Sequence, residues 1–85
     1  MKKQNCILKI FKNGECINFE RFSCKRVNTI LNQYKKAFRP YQFNNYFFRD
    51  YRDADVIRII STPDGYNEGV ILAEYTPEEF FAAIS

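Results

Sequence analysis

Asn13-Gly14 stands between two runs in which apolar and polar residues alternate, Cys6–Lys12 and Glu15–Arg21. An Asn-Gly pair in a two-residue loop accepts positive φ at both central positions, the turn whose twist matches paired strands. The pattern predicts an antiparallel hairpin with Lys12 opposite Glu15, Ile10 opposite Ile17 and Leu8 opposite Phe19. Leu8, Ile10, Ile17 and Phe19 then share one face and enter the core. Ile7, Lys9, Phe11, Cys16, Asn18 and Glu20 form a mixed second face. A lone hairpin is marginal in water, so further elements must cover it.

The next segment supplies a cover. Ser23 is placed to cap a helix from about Cys24 to Arg39, with Pro40 as its terminator. Val27, Ile30, Leu31, Tyr34 and Phe38 make one apolar stripe at helical spacing, with Lys25, Asn28, Thr29, Asn32, Lys36 and Arg39 opposite. A second strand pair reads from Val56–Thr62, a turn region from Pro63–Gly69, and a return from Val70–Tyr75. Thr76-Pro77-Glu78-Glu79 has the form of a capping box, with Pro at the first helical position, and starts a short helix through Phe80, Phe81 and Ile84. The order β-β-α-β-β-α predicts an α+β fold, an antiparallel sheet with helices packed on one face. A length of 85 residues predicts a single domain over 1–85. Leu, Ile, Val and Phe make up 24 residues, enough apolar matter for a folded core.

Between the halves lies the segment 38–51, in which seven of fourteen residues are aromatic. Phe43, Tyr46, Phe47 and Tyr51 fall at helical spacing, whereas Asn44-Asn45 would suit a turn; a short helix is the reading adopted. Phe43, Phe47 and Phe48 read as core residues, because a chain with three leucines must fill its interior with rings. Tyr41, Tyr46 and Tyr51 carry hydroxyls that need water or a partner, and Arg39, Arg49 and Arg52 lie among them. Tyr and Arg are enriched at binding hot spots, and rings with cations also suit single-stranded nucleic acid.

Charge divides along the chain. Residues 1–52 hold twelve Lys/Arg against three Asp/Glu, and residues 53–85 hold Arg58 alone against seven acids. A segregated pair of surfaces is one reading; the other is that folding interleaves the halves and the charges cancel across a shared sheet. Asp53 and Asp55 read as residues that keep an edge strand soluble, and Asp64-Gly65 as a turn.

Composition removes several chemistries. With no histidine, Cys–His and Ser–His–Asp systems cannot be built, nor zinc sites that use histidine. Cys6, Cys16 and Cys24 are too few for a four-cysteine site, contain no C-x-x-C, and read as free thiols in a reducing compartment. Three glycines leave no phosphate-cradling loop. Pro63-Asp64 followed by Glu74-Tyr75-Thr76 resembles the Pro-Asp…Glu-x-Lys pattern of restriction-type nucleases, but Thr76 stands where the lysine is required. That departure removes the cation needed beside the attacking water. The start, Met1-Lys2-Lys3-Gln4-Asn5, leads into an apolar run broken at Lys9, too short for a secretory leader. A soluble, cytoplasmic protein with no membrane partner is expected, without catalytic residues, metal or cofactor.

What remains is a binding protein. The expected contact residues are Lys35, Lys36, Arg39, Tyr41, Tyr46, Arg49, Tyr51 and Arg52. The first expected partner is another protein. RNA or single-stranded DNA, held by the basic and aromatic face of residues 25–52, is the alternative, and an edge strand could pair two copies. Residues with A/T-rich codons (Phe, Tyr, Met, Ile, Asn, Lys) total 40, against 17 for Gly, Ala, Arg and Pro. That bias fits a phage or mobile element of a low-GC host. By analogy of setting it suggests an inhibitor of the anti-CRISPR kind that occludes a host protein.

Overall fold

The computed structural model describes residues 3–41 and 48–85, the side chains of 38–41 excepted. The elements are β1 (Gln4–Lys12), β2 (Glu15–Lys25), α1 (Val27–Tyr41), α2 (Arg49–Asp53), β3 (Val56–Ser61), β4 (Ile71–Tyr75) and α3 (Pro77–Ile84). The strands form one antiparallel sheet in the order β2-β1-β3-β4. This is the expected α+β architecture, and a short helix does stand between the halves, over Arg49–Asp53; Phe43, Tyr46 and Phe47 of the expected one lie outside the described residues.

The hairpin turn is as expected. Asn13 and Gly14 have φ of 53° and 79°, and Lys12 pairs with Glu15. Beyond it the register departs from the expectation, because Ile17 is an extra residue in β2: Phe11 faces Cys16, yet Ile10 faces Asn18. A bulge of this kind exchanges the faces of everything that follows it. Lys9 is therefore paired with Phe19 and Leu8 with Glu20. Ile17 and Phe19 are not core residues, being 40% and 56% exposed. Glu20 and Phe22 take the side that faces the helices.

The expected helix start is also corrected. Ser23 lies within β2, and the first helical bond runs from the Ile30 N–H to the Arg26 carbonyl at 3.1 Å. The strand continues because Cys24 adopts φ of 53° and its N–H donates to Asn5 Oδ1 at 3.0 Å, a second bulge that keeps Lys25 paired with Gln4. At its far end α1 runs through Pro40 to Tyr41 rather than stopping at Arg39. The second strand pair agrees with the sequence to within a residue. In α3, Thr76 accepts from the Glu79 N–H while Glu79 Oε1 accepts from the Thr76 N–H, the capping box in full.

One face of the sheet carries the core. Cys6, Leu8 and Ile10 of β1 and Ile57 and Ile59 of β3 meet Val27, Ile30 and Tyr34 of α1, Tyr51 of α2, and Phe80 and Ile84 of α3. Phe48 is fully buried among them, as expected, while Phe43 and Phe47 lie outside the described residues. Aromatic edges do much of the packing. Phe80 lies 5.5 Å from both Tyr34 and Tyr51, measured between ring centroids.

The opposite face is not bare. Ile7 and Ile60, paired across β1 and β3, are 2% and 5% exposed although they point away from the helices. The β3–β4 loop crosses above them, held by a Lys9–Glu68 ion pair and by Arg21 Nη1 donating to the Gly65 carbonyl at 3.1 Å. That loop is built on Asp64, whose carboxylate accepts from the N–H groups of Tyr66 and Asn67. Those bonds hold its carboxyl below the usual carboxylate range. Asp55 has a different role from the one expected. It precedes β3, which is central, and its carboxylate accepts the Asn13 N–H at 2.7 Å, tying the first hairpin turn to the sheet.

Candidate functional site

Of the eight expected contact residues, the structure describes the side chains of Lys35, Lys36, Arg49, Tyr51 and Arg52. Lys35 is half-buried and Lys36 exposed on α1, and neither forms an ion pair among the described residues. Arg49 and Arg52 are exposed on α2, the guanidinium of Arg52 lying 5.7 Å from the Phe81 ring centroid. The side chains of Arg39 and Tyr41, and the whole of Tyr46, lie outside the described residues. Tyr51 is corrected: it is 4% exposed and belongs to the core. Its hydroxyl finds a protein partner instead of water, which is what a buried phenol requires.

The charges of the two halves are not kept wholly apart on the sheet. Lys9 of the first half pairs with Glu68 of the second, while Arg58 Nε lies 2.6 Å from Glu74 Oε2 within the second half. On the helix-free face the Lys9–Glu68 pair joins a cation of the first hairpin to an acid of the β3–β4 loop, so the interleaved reading of the charge map holds at that pair. The acids have structural partners: Asp64 builds a turn and Glu74 pairs with Arg58. Among the described residues no group of three Asp, Glu or Cys side chains converges as a metal site would require.

The feature that sequence reasoning missed is β2. It is an edge strand of eleven residues, exposed along nearly its whole length. Between its two bulges runs a regular stretch, Asn18–Phe22, paired with Cys6–Ile10. Successive residues of an antiparallel strand point their main-chain groups alternately to either neighbour. The Phe19 N–H points outward, because it donates to the Asn18 side chain at 2.8 Å, and by alternation the main chain of Arg21 does the same. Phe19 presents its ring on the helix-free face, with the Arg21 guanidinium 5.9 Å from its centroid.

On the helix side of the same stretch there is a cleft of about 130 Å³, lined by Glu20 and Phe22 of β2 and by Gln33, Tyr34 and Ala37 of α1. Gln33 and Ala37 are one helical turn apart and form its outer wall. Tyr34 donates its O–H to Glu20 Oε2 at 2.5 Å and accepts from the Tyr51 O–H at 3.0 Å. Burial, reinforced by the Tyr51 and Glu20 charges, pushes the Tyr34 phenol up. Burial likewise pushes Tyr51 up to about 12, although its bond to Tyr34 opposes the shift. The pair thus stays protonated and holds the Glu20 carboxylate in place. Glu20 Oε1 has no partner among the described residues. Only the Asn18–Glu20 alternation could have signalled this in the sequence, and the unseen bulge at Ile17 concealed it.

Cys16 and Cys24 are exposed free thiols and Cys6 a buried one, its thiol raised by burial. No helix among the described residues is long and apolar enough to cross a membrane. No protein-family model, curated protein or solved structure matches the chain.

Proposed function

We propose that the domain is a non-catalytic protein-interaction module, acting by occluding a surface of its partner as an inhibitor does. The observation that carries this reading is the β2 edge. Long edge strands with exposed apolar side chains invite pairing with another chain, and folded proteins ordinarily shorten, charge or cover them. Here Ile17 and Phe19 are left 40% and 56% exposed on such an edge. Main-chain hydrogen bonds along Asn18–Phe22 would supply affinity, and the side chains on either face would supply selectivity. A phage or mobile-element setting remains the analogy attached to the codon bias.

Affinity capture from a low-GC bacterial lysate tests the reading. A partner held by the wild-type protein should be lost with Phe19→Lys, which places a charge on the edge without touching the core. A partner retained at full strength would move the interface away from β2.

A nucleic-acid reading has one observation of its own. Helix α1 contains no acidic residue, and Lys36 stands exposed on it without an ion-pair partner among the described residues. Phosphate contacts of that kind weaken steeply with salt. Binding of a labelled single-stranded oligonucleotide at low salt, lost at higher salt and in Lys35→Ala/Lys36→Ala, would support it. No binding at low salt would end it.

A further inference from the structure

We propose that the β2 edge receives an extended segment of a partner protein, with a lysine or arginine side chain opposite Glu20 that enters the cleft between β2 and α1. The proposal rests on the interaction-module reading and adds the chemistry of the partner. Four observations meet at one place. The regular stretch Asn18–Phe22 is bounded by a bulge on each side, so an added strand has a defined place to pair. Phe19 and Arg21 direct their main-chain groups outward, and among the described residues the Phe19 N–H is satisfied by the side chain of the preceding Asn18, which an incoming carbonyl can displace. The residue of an added strand that faces Glu20 must turn its side chain to the helix side, because cross-strand neighbours share a face. There it meets the cleft.

The cleft selects a cation by its chemistry. Its volume of about 130 Å³ matches roughly four waters at about 30 Å³ each, and falls well below the ~300–1,000 Å³ of small-molecule pockets. It is a space for one side chain. Phe22 and the Tyr34 ring provide apolar walls for a methylene stem and faces for a cation. Glu20 provides a carboxylate whose Oε1 is open and whose Oε2 is fixed by Tyr34. No Lys or Arg among the described residues pairs with it. On the other face, Phe19 offers its ring to the flanking residues of the incoming strand.

A second copy of this chain fits the same edge poorly. Edge-to-edge antiparallel pairing about a twofold axis, centred on the regular stretch, would set Glu20 against Glu20. Like charges directly opposite are destabilising.

The probe is a capped peptide, Thr-Thr-Val-Lys-Val-Thr-Thr, titrated into nitrogen-labelled protein and followed by amide NMR, beside the same peptide with Glu in place of Lys. The expected result is movement of the Asn18–Phe22 amides and the Gln33 side-chain amide. The Lys peptide should bind about tenfold tighter than the Glu peptide, the scale of one charge-assisted hydrogen bond. Glu20→Gln, which keeps an acceptor for Tyr34, should erase that preference. Arg21→Pro, which removes an outward N–H that the ladder does not use, should weaken both peptides. Equal affinity of the two peptides overturns the proposal. So do shifts confined to the outer face of α1, absence of shifts up to the solubility limit, or a dimer that occupies this edge by sedimentation. Lysate capture that stays sensitive to Phe19→Lys while the Lys preference is missing would refute only the assignment to Glu20. Capture indifferent to Phe19→Lys would remove the use of β2 as well.

Discussion

Phe80→Ala should bring this domain close to its unfolding threshold, while Phe19→Ala should leave it almost unchanged. Phe80 is fully buried and its ring centroid lies 5.5 Å from Tyr34, 5.5 Å from Tyr51 and 6.0 Å from Tyr75. Truncating a buried Phe costs about 3–5 kcal/mol from lost transfer energy and the cavity left behind. At ~0.05–0.15 kcal/mol per residue, the 85 residues hold about 4–13 kcal/mol in total. Loss of about 4 kcal/mol is therefore a third or more of the stability. With m of about 1–3 kcal/mol/M in urea, the midpoint should fall by roughly 1–4 M. Phe19 is 56% exposed, and its truncation should cost about 0.5 kcal/mol. Urea titrations followed by far-UV circular dichroism read both variants. The pair tests the bulge at Ile17, since a bulge-free register would carry Phe19 into the core. A Phe80→Ala midpoint within about 0.3 M of wild type would refute the packing argument. A Phe19→Ala loss equal to that of Phe80→Ala would refute the register.

Three other outcomes follow from local geometry. Thr76→Ala removes the acceptor for the Glu79 N–H and half of the capping box, and should cost about 1 kcal/mol in thermal or urea unfolding. Gly69→Ala would set a Cβ 2.5 Å from Ser61 Oγ and 3.3 Å from Pro63 Cδ. Because Ser61 Oγ accepts the Val70 N–H at 2.8 Å, moving it aside should cost about 1–3 kcal/mol, seen as a lowered Tm. Alkaline pH should destabilise the fold through the buried phenols. Tyr34 and Tyr51 ionise at higher pH when folded than when unfolded, so their contribution is fully present below pH about 10. For Tyr51 it is lost as pH rises from there through about 12. Tyr51→Phe should flatten that decline in a Tm-versus-pH series, and an unchanged slope would contradict the burial of its hydroxyl.

Most of the fold could be read from short stretches of sequence. Asn13-Gly14 needs only its own φ preference to make a turn, and Thr76-Pro77-Glu78-Glu79 closes its capping box within four residues. The β1 alternation that sends Leu8 and Ile10 to the core and the α1 stripe of Val27, Ile30, Leu31 and Tyr34 depend on spacing alone, and both are found in the structure, the Phe38 side chain lying outside the described residues. These signals are local, so neighbouring residues suffice to set them.

What the sequence by itself determined was therefore the kinds of elements, their order and an α+β class; which surface is left open came from tertiary structure. Strand order made β2 an edge and β3 central, which turned Asp55 from an edge charge into a brace for the first hairpin turn. One extra residue at Ile17 moved Phe19 outward and turned Glu20 toward the helices. Tyr51, a contact residue by composition, was drawn inward by Tyr34 and Phe80. Ile7 and Ile60 were buried from the far side by a loop anchored on Lys9 and Arg21, residues more than forty positions away from it. The reason is common to all four. Register, edges and coverage are set by pairings between residues distant along the chain, and no local propensity encodes which distant residue will arrive.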